Sequence, residues 1–365
     1  MFENENKYDE QLLLAFLSSK TNLNVARLEQ VLTAYKDLNT ALSDGFSLFR
    51  PNKWVDKISF ATIGEDILAF ENSLNTNQIS FFTIHSRCYP KLLLHLSDAP
   101  LVLYYKGNLE ILANKQMITV VGARNTNRYT EIVMDKILTP ACSLGIGVVS
   151  GLAFGVDALA HQIAVANKAP TIGVIGSGLD QKSFYPSENW GLSNQIVKDG
   201  GLVLSEYAPN TPCSKYTFPQ RNRILASLTD LTWIVQARVG SGSLITAMRA
   251  REIGKTICTT PANILEECSG GNLKLLKEGA SIISEYQDIV DLLGLKLYPE
   301  IQAKANIEYA SLEEEKIHKI LSLEPISTEL LAQKSGIGDL SMHLTMLELS
   351  GLALNIGENR WVKAG

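Results

Sequence analysis

Apolar positions follow three different rhythms along the chain. In residues 8–75 they recur at helical spacing. Gln11–Ser18 is apolar-rich, Asn24–Tyr35 places Val25, Leu28, Val31 and Leu32 on one face, and Ile67–Leu74 follows a break containing Pro51. The middle changes to short continuous apolar runs at Met117–Val121, Gly145–Ser150, Thr171–Ile175, Leu202–Ser205, Thr232–Val235 and Lys255–Thr259. Helical stretches separate several of them, at Glu131–Leu144, Val156–Asn167, Trp190–Lys198 and Leu244–Ile253. Unbroken apolar strands alternating with helices predict a parallel sheet covered on both faces, a doubly wound α/β domain. Beyond Leu295, Lys296–Tyr309 is polar and aperiodic and contains Pro299, as a linker would. Helical segments follow at Leu312–Leu321, Thr328–Lys334 and Leu340–Leu349, then two β-prone pieces, Leu352–Ile356 and Arg360–Lys363. Helix, helix-turn-helix and hairpin is the layout of a winged-helix domain.

Composition agrees with this division. A chain of 365 residues, 45% hydrophobic and 19% charged, can bury more than one core, and two or three domains are expected. No apolar run approaches the ~18 residues of a membrane span. Glu3, Glu5, Asp9 and Glu10 precede the first Leu run, the wrong order for a secretory signal. Five cysteines (Cys88, Cys142, Cys213, Cys258, Cys268) form no C-x-x-C pair, which disfavours a disulfide framework or a thiolate zinc site. A soluble cytoplasmic protein is the resulting expectation.

The net charge of −5 argues at first against a nucleic-acid partner. Its distribution changes that reading. Residues 1–115 carry 11 Lys and Arg against 13 Asp and Glu, residues 116–285 carry 15 against 13, and residues 286–365 carry 7 against 12. Only the middle has a basic excess, so an anion site there must concentrate its cations locally.

Four predicted strand–helix junctions in the middle carry small residues. They are Val121-Gly-Ala-Arg124, Ser150-Gly-Leu-Ala-Phe-Gly155, Gly176-Ser-Gly178 and Gly240-Ser-Gly-Ser243. Open α/β sheets bind ligands beyond the carboxyl ends of their strands, where glycine admits an anion to backbone N–H groups and a helix N-terminus adds partial positive charge. Ser241 and Ser243 can cap the following helix or donate to an oxyanion. Together with Arg124 and the run Arg221-Asn222-Arg223, these turns predict an anion site. Its ligand is not a P-loop nucleotide, since no G-x-x-x-x-G-K-[ST] occurs, and no G-x-G-x-x-G marks a nicotinamide site. Arginine without a magnesium-binding acid suits a phosphodiester backbone.

Asp157 and His161 share a helix face at i, i+4, which a metal site or acid–base pair would use. A structural role fits better: Asp157 opposes the helix dipole, and His161 lies within reach to bond it. No nucleophile elbow or metal-ligand set accompanies them, so no catalytic residue, metal or cofactor is expected. The helix Leu340–Leu349 contains no Arg or Lys, and its segment is acidic. Protein contact or packing therefore fits it better than duplex binding.

Residues 89–280 closely resemble the DNA-processing protein A (DprA/Smf) family. The blocks are Tyr89-Pro90, Leu101-Val-Leu-Tyr-Tyr-Lys-Gly107, Val121–Arg124, Ser150-Gly-Leu-Ala-Phe-Gly-Val-Asp-Ala-Leu-Ala-His161, Gly176–Gly178 and Tyr185-Pro186. Ser205-Glu-Tyr207, Phe218-Pro-Gln-Arg-Asn-Arg-Ile224 and Ser241-Gly-Ser-Leu-Ile-Thr246 complete the set. The resemblance implies an extended Rossmann-like domain over 81–295, preceded by a SAM- or HhH-like helical module over 1–80. A linker over 296–309 and a winged-helix-like domain over 310–365 follow.

It also implies a non-catalytic, single-stranded-DNA-binding recombination mediator of natural transformation that dimerises, protects incoming DNA and loads a RecA-type recombinase. It places Arg124, Ser150, Gly151, Phe218, Arg221, Asn222, Arg223 and Ser241, Gly242 and Ser243 in or beside the strand-binding pocket. The glycine-rich turns add Gly122, Ala153, Gly176 and Gly178. Arg223 is the preferred phosphate ligand and Arg221 a structural ion-pair residue. Ala123, Thr130, Gln236 and Ala262 depart from the family pattern. The competing class is a nucleotide-processing Rossmann-like enzyme such as a phosphoribohydrolase, whose P-G-G-x-G-T signature is absent here.

Overall fold

Three short polar side chains start the N-terminal helices. Asp9 accepts from the Leu12 N–H ahead of α1 (Glu10–Lys20), Asn24 from Arg27 ahead of α2 (Val25–Tyr35), and Asp37 from Thr40 ahead of α3 (Leu38–Ser43). A fourth helix, α4 (Ile63–Thr76), completes the layer. The computed structural model describes residues 8–295 apart from Asn22 and Pro51, then residues 309, 311–322, 325–357 and 359–363. The expected linker 296–309 therefore lies, except for Tyr309, outside the described residues.

The chain divides into two units at Leu295/Lys296. In the first, a nine-stranded sheet is built from β1 (Ser80–Thr83), β2 (Val102–Gly107), β3 (Met117–Val121), β4 (Gly147–Ser150), β5 (Thr171–Ile175), β6 (Leu202–Ser205), β7 (Leu231–Ile234), β8 (Thr256–Thr259) and β9 (Ser281–Ile282). The spatial order is β1-β2-β6-β5-β4-β3-β7-β8-β9. Strands β3 to β9 pair in parallel, while β1–β2 and β2–β6 pair antiparallel. Every residue of β3, β4, β5 and β7 is buried, as strands covered on both faces must be. The covering helices are α5 (Arg128–Ser143), α6 (Val156–Ala166), α7 (Trp190–Lys198), α8 (Thr217–Ser227), α9 (Gly242–Glu252), α10 (Gly270–Lys277) and α11 (Tyr286–Leu292).

The N-terminal helices do not keep a core to themselves. Leu13, Phe16, Leu17, Leu28, Val31 and Ile67 share one apolar cluster with Leu101, Val102 and Tyr104 around β2 and with Val203 of β6. The Tyr104 hydroxyl donates to the Ala15 carbonyl at 3.2 Å, tying α1 to the antiparallel edge. Strands β1, β2 and β9 and helices α3, α8, α10 and α11 fall outside the sequence pattern. β1 and β2 mix Tyr, Phe and Thr without the continuous aliphatic character of the inner strands, and α8 carries Pro219 in its first turn followed by four consecutive polar residues, Gln220 to Arg223.

The second unit contains α12 (Leu312–Ile320), β10 (Ile326–Ser327), α13 (Thr328–Ser335), α14 (Ser341–Leu349), β11 (Ala353–Asn355) and β12 (Arg360–Lys363). Its strands order as β10-β12-β11, all antiparallel. Ile317, Leu331, Leu344, Leu347 and Trp361 form its core. Helix α14 turns Leu344 and Leu347 inward and leaves Met342, Met346 and Leu349 exposed. No described helix is long and apolar enough to cross a membrane.

Leu13 is fully buried where the helical layer meets the sheet edge. Leu13→Ala removes that contact and leaves a cavity, so it should lower unfolding free energy by about 2–5 kcal/mol in chemical denaturation. A loss below ~1 kcal/mol would mean that the helical layer adds little to the stability of the first unit.

Candidate nucleic-acid interface

Strand β3 lies between β4 and β7, and the connections leaving its carboxyl end and those of its neighbours diverge there. This is the switch point of an open α/β sheet, the place where such folds leave a crevice. An open cleft of about 590 Å³ occupies it. The turn after β3 contributes Gly122, Ala123, Arg124 and Asn125. Helix α6 and the turn before it contribute Ala153 and Asp157, α8 contributes Phe218, Pro219, Arg221 and Asn222, and the segment leading into α9 contributes Arg238 and Gly240–Ser243. Ionisable Arg and Asp side chains in this lining comprise three arginines against one carboxylate.

Helix α8 decides how its cations are used. Proline is tolerated in a first helical turn, where no intrahelical N–H is needed, so Pro219 does not prevent the helix from starting at Thr217. Nearly the whole helix is buried, including Arg221, Asn222 and Arg223. Residues two apart on a helix point about 200° apart, so the two guanidinium groups leave on opposite sides. Arg223 turns away from the cleft: its Nη2 donates to both carboxylate oxygens of Glu206 at 2.6 Å, and its Nε lies 3.2 Å from Asp98. Arg221 turns inward. Its Nη1 donates to the carbonyls of Gly151 and Val174, its Nε donates to Asn222 Oδ1 at 3.1 Å, and its Nη2 lies 3.7 Å from Asp157 Oδ2. The expected ion-pair role of Arg221 is what the helix provides, through Asp157, whereas Arg223, expected to hold phosphate, faces Glu206 and Asp98 and does not line the cleft.

Asp157 is 5% exposed. Burial pushes its carboxyl above the ordinary range, while Arg221 and the backbone N–H groups of Ala153, Gly151 and Gly122 pull it back. Arg221 approaches the β4 turn so closely that a Cβ on Gly151 would lie 2.3 Å from its Nη2, so any side chain there has to displace the buried guanidinium. At Gly155, where α6 begins, φ is +71° and a Cβ would lie 2.3 Å from the Ala123 carbonyl. His161 does not hydrogen-bond Asp157. Its Nδ1 pairs with the Thr171 hydroxyl at 2.8 Å, and burial drives its pKa down to about 3, so the imidazole is neutral.

The sequence-derived site residues thus separate. Gly122, Arg124, Ala153, Phe218, Arg221, Asn222, Ser241, Gly242 and Ser243 line the cleft. Ser150, Gly151, Gly176, Gly178 and Arg223 do not. The Ser150 hydroxyl donates to the Val120 carbonyl at 2.6 Å. Gly178 donates its N–H to Thr211, and a Cβ there would meet Asp180 and the Ala208 carbonyl. Gly176 packs against the backbone of Thr217. Ser241 caps α9, its Oγ 2.8 Å from that of Ser243. Arg124 is exposed and stacks its guanidinium 4.9 Å over the Phe218 ring. Asn125, Arg238, Thr246 and Cys268 also line the cleft without having been singled out in the sequence. Arg238 had a signal, since it stands in the turn between β7 and the Gly240–Ser243 run. Neither Arg124 nor Arg238 forms an ion pair among the described residues.

Two of the departures from the family pattern sit beside local hydrogen bonds. Thr130 is buried in the first turn of α5, and its N–H and hydroxyl both donate to Asn127 Oδ1, at 2.9 and 2.8 Å. The residue before Ala262, Pro261, accepts the Tyr129 hydroxyl on its carbonyl at 2.8 Å.

Arg221→Ala strands the Asp157 carboxylate in the interior and should destabilise the first unit by about 3–5 kcal/mol. Denaturant melts of the two proteins measure this, and a change under 1 kcal/mol would show that the pair is dispensable. A second expectation follows from neutral His161. Below pH ~6.5 the unfolded chain takes up a proton at this position that the native state does not bind until about pH 3. Its contribution should therefore make stability fall on acidification, by about 1–2 kcal/mol between pH 6.5 and 5. A folded His161→Asn protein should lose that part of the pH dependence, and an unchanged profile would contradict it.

Residues 80–294 match the family model described as DNA recombination-mediator protein A. The chain is 37% identical to the DNA processing protein DprA of Bacillus subtilis over 223 residues, covering 61% of this chain and 72% of that protein. It is 41% identical to the Streptococcus pneumoniae DprA over 209 residues, covering 57% and 72% respectively. Among solved structures, the X-ray structure of S. pneumoniae DprA superposes with a TM-score of 0.64 at 31% identity, covering 80% of this chain and all of that one. DNA processing protein A of Helicobacter pylori, whose structure is described in terms of a unique single-stranded DNA binding mode, aligns with a TM-score of 0.52 at 30% identity. It covers 59% of this chain and 95% of that one.

Proposed function

Because the chain belongs to the DNA recombination-mediator protein A family, we propose that its cleft holds the backbone of single-stranded DNA without reading the bases. The observation that carries this reading is the pair of exposed arginines, Arg124 and Arg238, on one open cleft and without ion-pair partners among the described residues. Phe218 lies beneath Arg124, with the Tyr185 ring 5.6 Å from it. A cation over an aromatic ring at the mouth of a basic groove suits a phosphate on one side and a stacked base on the other. The H. pylori relative's single-stranded DNA binding supports the same ligand class.

The finer features of the proposal rest on the family resemblance. They are a non-catalytic role in natural transformation, protection of incoming strands, loading of a RecA-type recombinase, homodimerisation and a cytoplasmic location. The same holds for the division into a helical module, an extended Rossmann-like domain and a winged-helix-like domain. Within the site, the geometry favours Arg124 and Arg238 as the phosphate ligands and gives Arg221 and Arg223 supporting positions.

Each phosphate neutralised on a single strand contributes about −0.7 to the slope of log affinity against log salt. Arg124→Ala and Arg238→Ala should each make that slope shallower by about this amount on poly-dT, with a similar loss on mixed sequences. Arg223→Ala should leave the slope unchanged in protein that remains folded. Anisotropy titrations across a salt series test all three. Folded Arg124→Ala and Arg238→Ala proteins with wild-type slopes would remove the cleft from strand binding.

A further inference from the structure

The turns at the ends of β3 and β4 present backbone N–H groups to the point where an open α/β sheet commonly receives a ligand phosphate. In this protein those donors are already used. Backbone N–H groups of Gly122, Gly151 and Ala153 favour the charged form of the buried Asp157 carboxylate, and the buried Arg221 guanidinium approaches it from α8, 3.7 Å away. Three amides from two separate turns and one arginine make a complete anion cradle. Every polar group named here donates, and a carboxylate is a side chain that can accept from all of them. The cradle also reaches the surface, because Asp157 and Arg221 both line the cleft.

We propose that Asp157 is a specificity-determining residue: its carboxylate is a resident anion that fills the phosphate cradle and restricts the cleft to ligands gripped at the rim. The inference deepens the strand-binding reading and rests on it. A mononucleotide offers one or a few phosphates and depends on a deep site to hold them. A strand offers a row of phosphates that Arg124 and Arg238 can hold without entering the floor. Filling the floor from within removes the first class of ligand and leaves the second, a form of selectivity by exclusion. Asp157 achieves this with an anion that matches the cradle's charge, so the floor stays neutral and satisfied.

Removing the carboxylate should therefore create a phosphate site. Asp157→Ala leaves three N–H groups and a guanidinium facing an empty space. Its thermal midpoint should be several degrees below wild type, and tens of millimolar inorganic phosphate should restore roughly 5 °C relative to sodium chloride of the same ionic strength. Wild type should show no phosphate-specific shift, and neither should Asp157→Asn, whose amide still fills the space. Replacing phosphate with AMP reads whether a whole nucleotide can follow its phosphate into the opened floor. A larger shift than with phosphate, or an equal one, supports the cradle. A folded Asp157→Ala protein that responds to phosphate no more than wild type overturns the inference. If Asp157→Ala folds in neither salt, Asp157→Ser returns one acceptor to the N–H groups and carries the same comparison. Failure of both to fold, even in phosphate, also counts against it, since an anion of suitable shape should replace the carboxylate. Binding of poly-dT by wild type is measured alongside. Its absence would defeat the strand-binding reading, whereas loss of the phosphate response alone would defeat only the resident-anion inference.

Discussion

The ion pair between Asp157 and Arg221, almost wholly removed from water, is the constraint on which the centre of the structure depends. A charge taken from water costs several kcal/mol unless it is paired and hydrogen-bonded, and breaking such a pair costs more than never having built it. Here the arginine holds two further elements by donating to the Gly151 and Val174 carbonyls at the ends of β4 and β5. The carboxylate gathers the amides of the β3 and β4 turns. Two charges thereby lock four backbone segments and orient α6 and α8 against the sheet. A side chain at Gly151 would collide with the Arg221 guanidinium and disturb this arrangement.

That internal pairing explains how a weakly basic domain can present a basic cleft. The middle of the chain holds only two more cations than anions. Helix α8 directs Arg221 to Asp157 and Arg223 to Glu206 and Asp98, so both serve the interior. Arg124 and Arg238 remain exposed on loops that leave the sheet, where no carboxylate neutralises them among the described residues. Local placement, more than total charge, sets the field that a polyanion would meet. The aromatic surface of Phe218 lies beneath one of these cations and extends toward Tyr185, so charge and stacking area are adjacent.

The helical layer contributes to the same rigidity from the far edge of the sheet. Its apolar side chains share a core with β2 and β6, so one face of the antiparallel end of the sheet is packed against helices. The second unit is built differently. Its small core lies under α12, α13 and α14, and the outward side of α14 carries Met342, Met346 and Leu349 in place of cations.

Much of this was legible in the chain. Runs such as Met117–Val121 and Thr171–Ile175 are strands because β-branched residues buried on both faces leave few alternatives, and the glycine-rich turns after them mark the ends of the sheet where the cleft lies. Arg124 and Ser241–Gly242–Ser243 were visible as candidates, and they line the cleft, because each sits within one turn of a strand or helix end. The partition of the arginines was visible only in part: Arg221 was expected in an ion pair, but the pairing of Arg223 with Glu206 and Asp98 was not. Whether Arg221 or Arg223 faces the cleft depends on α8 being a helix, and its polar sequence becomes helical and buried only where Asp157, Glu206 and Asp98 meet it from distant parts of the chain. Local patterns determine elements and their ends. Which charges are neutralised inside, and which remain free to meet a ligand, is a property of contacts between residues tens of positions apart, and only the tertiary structure decides it.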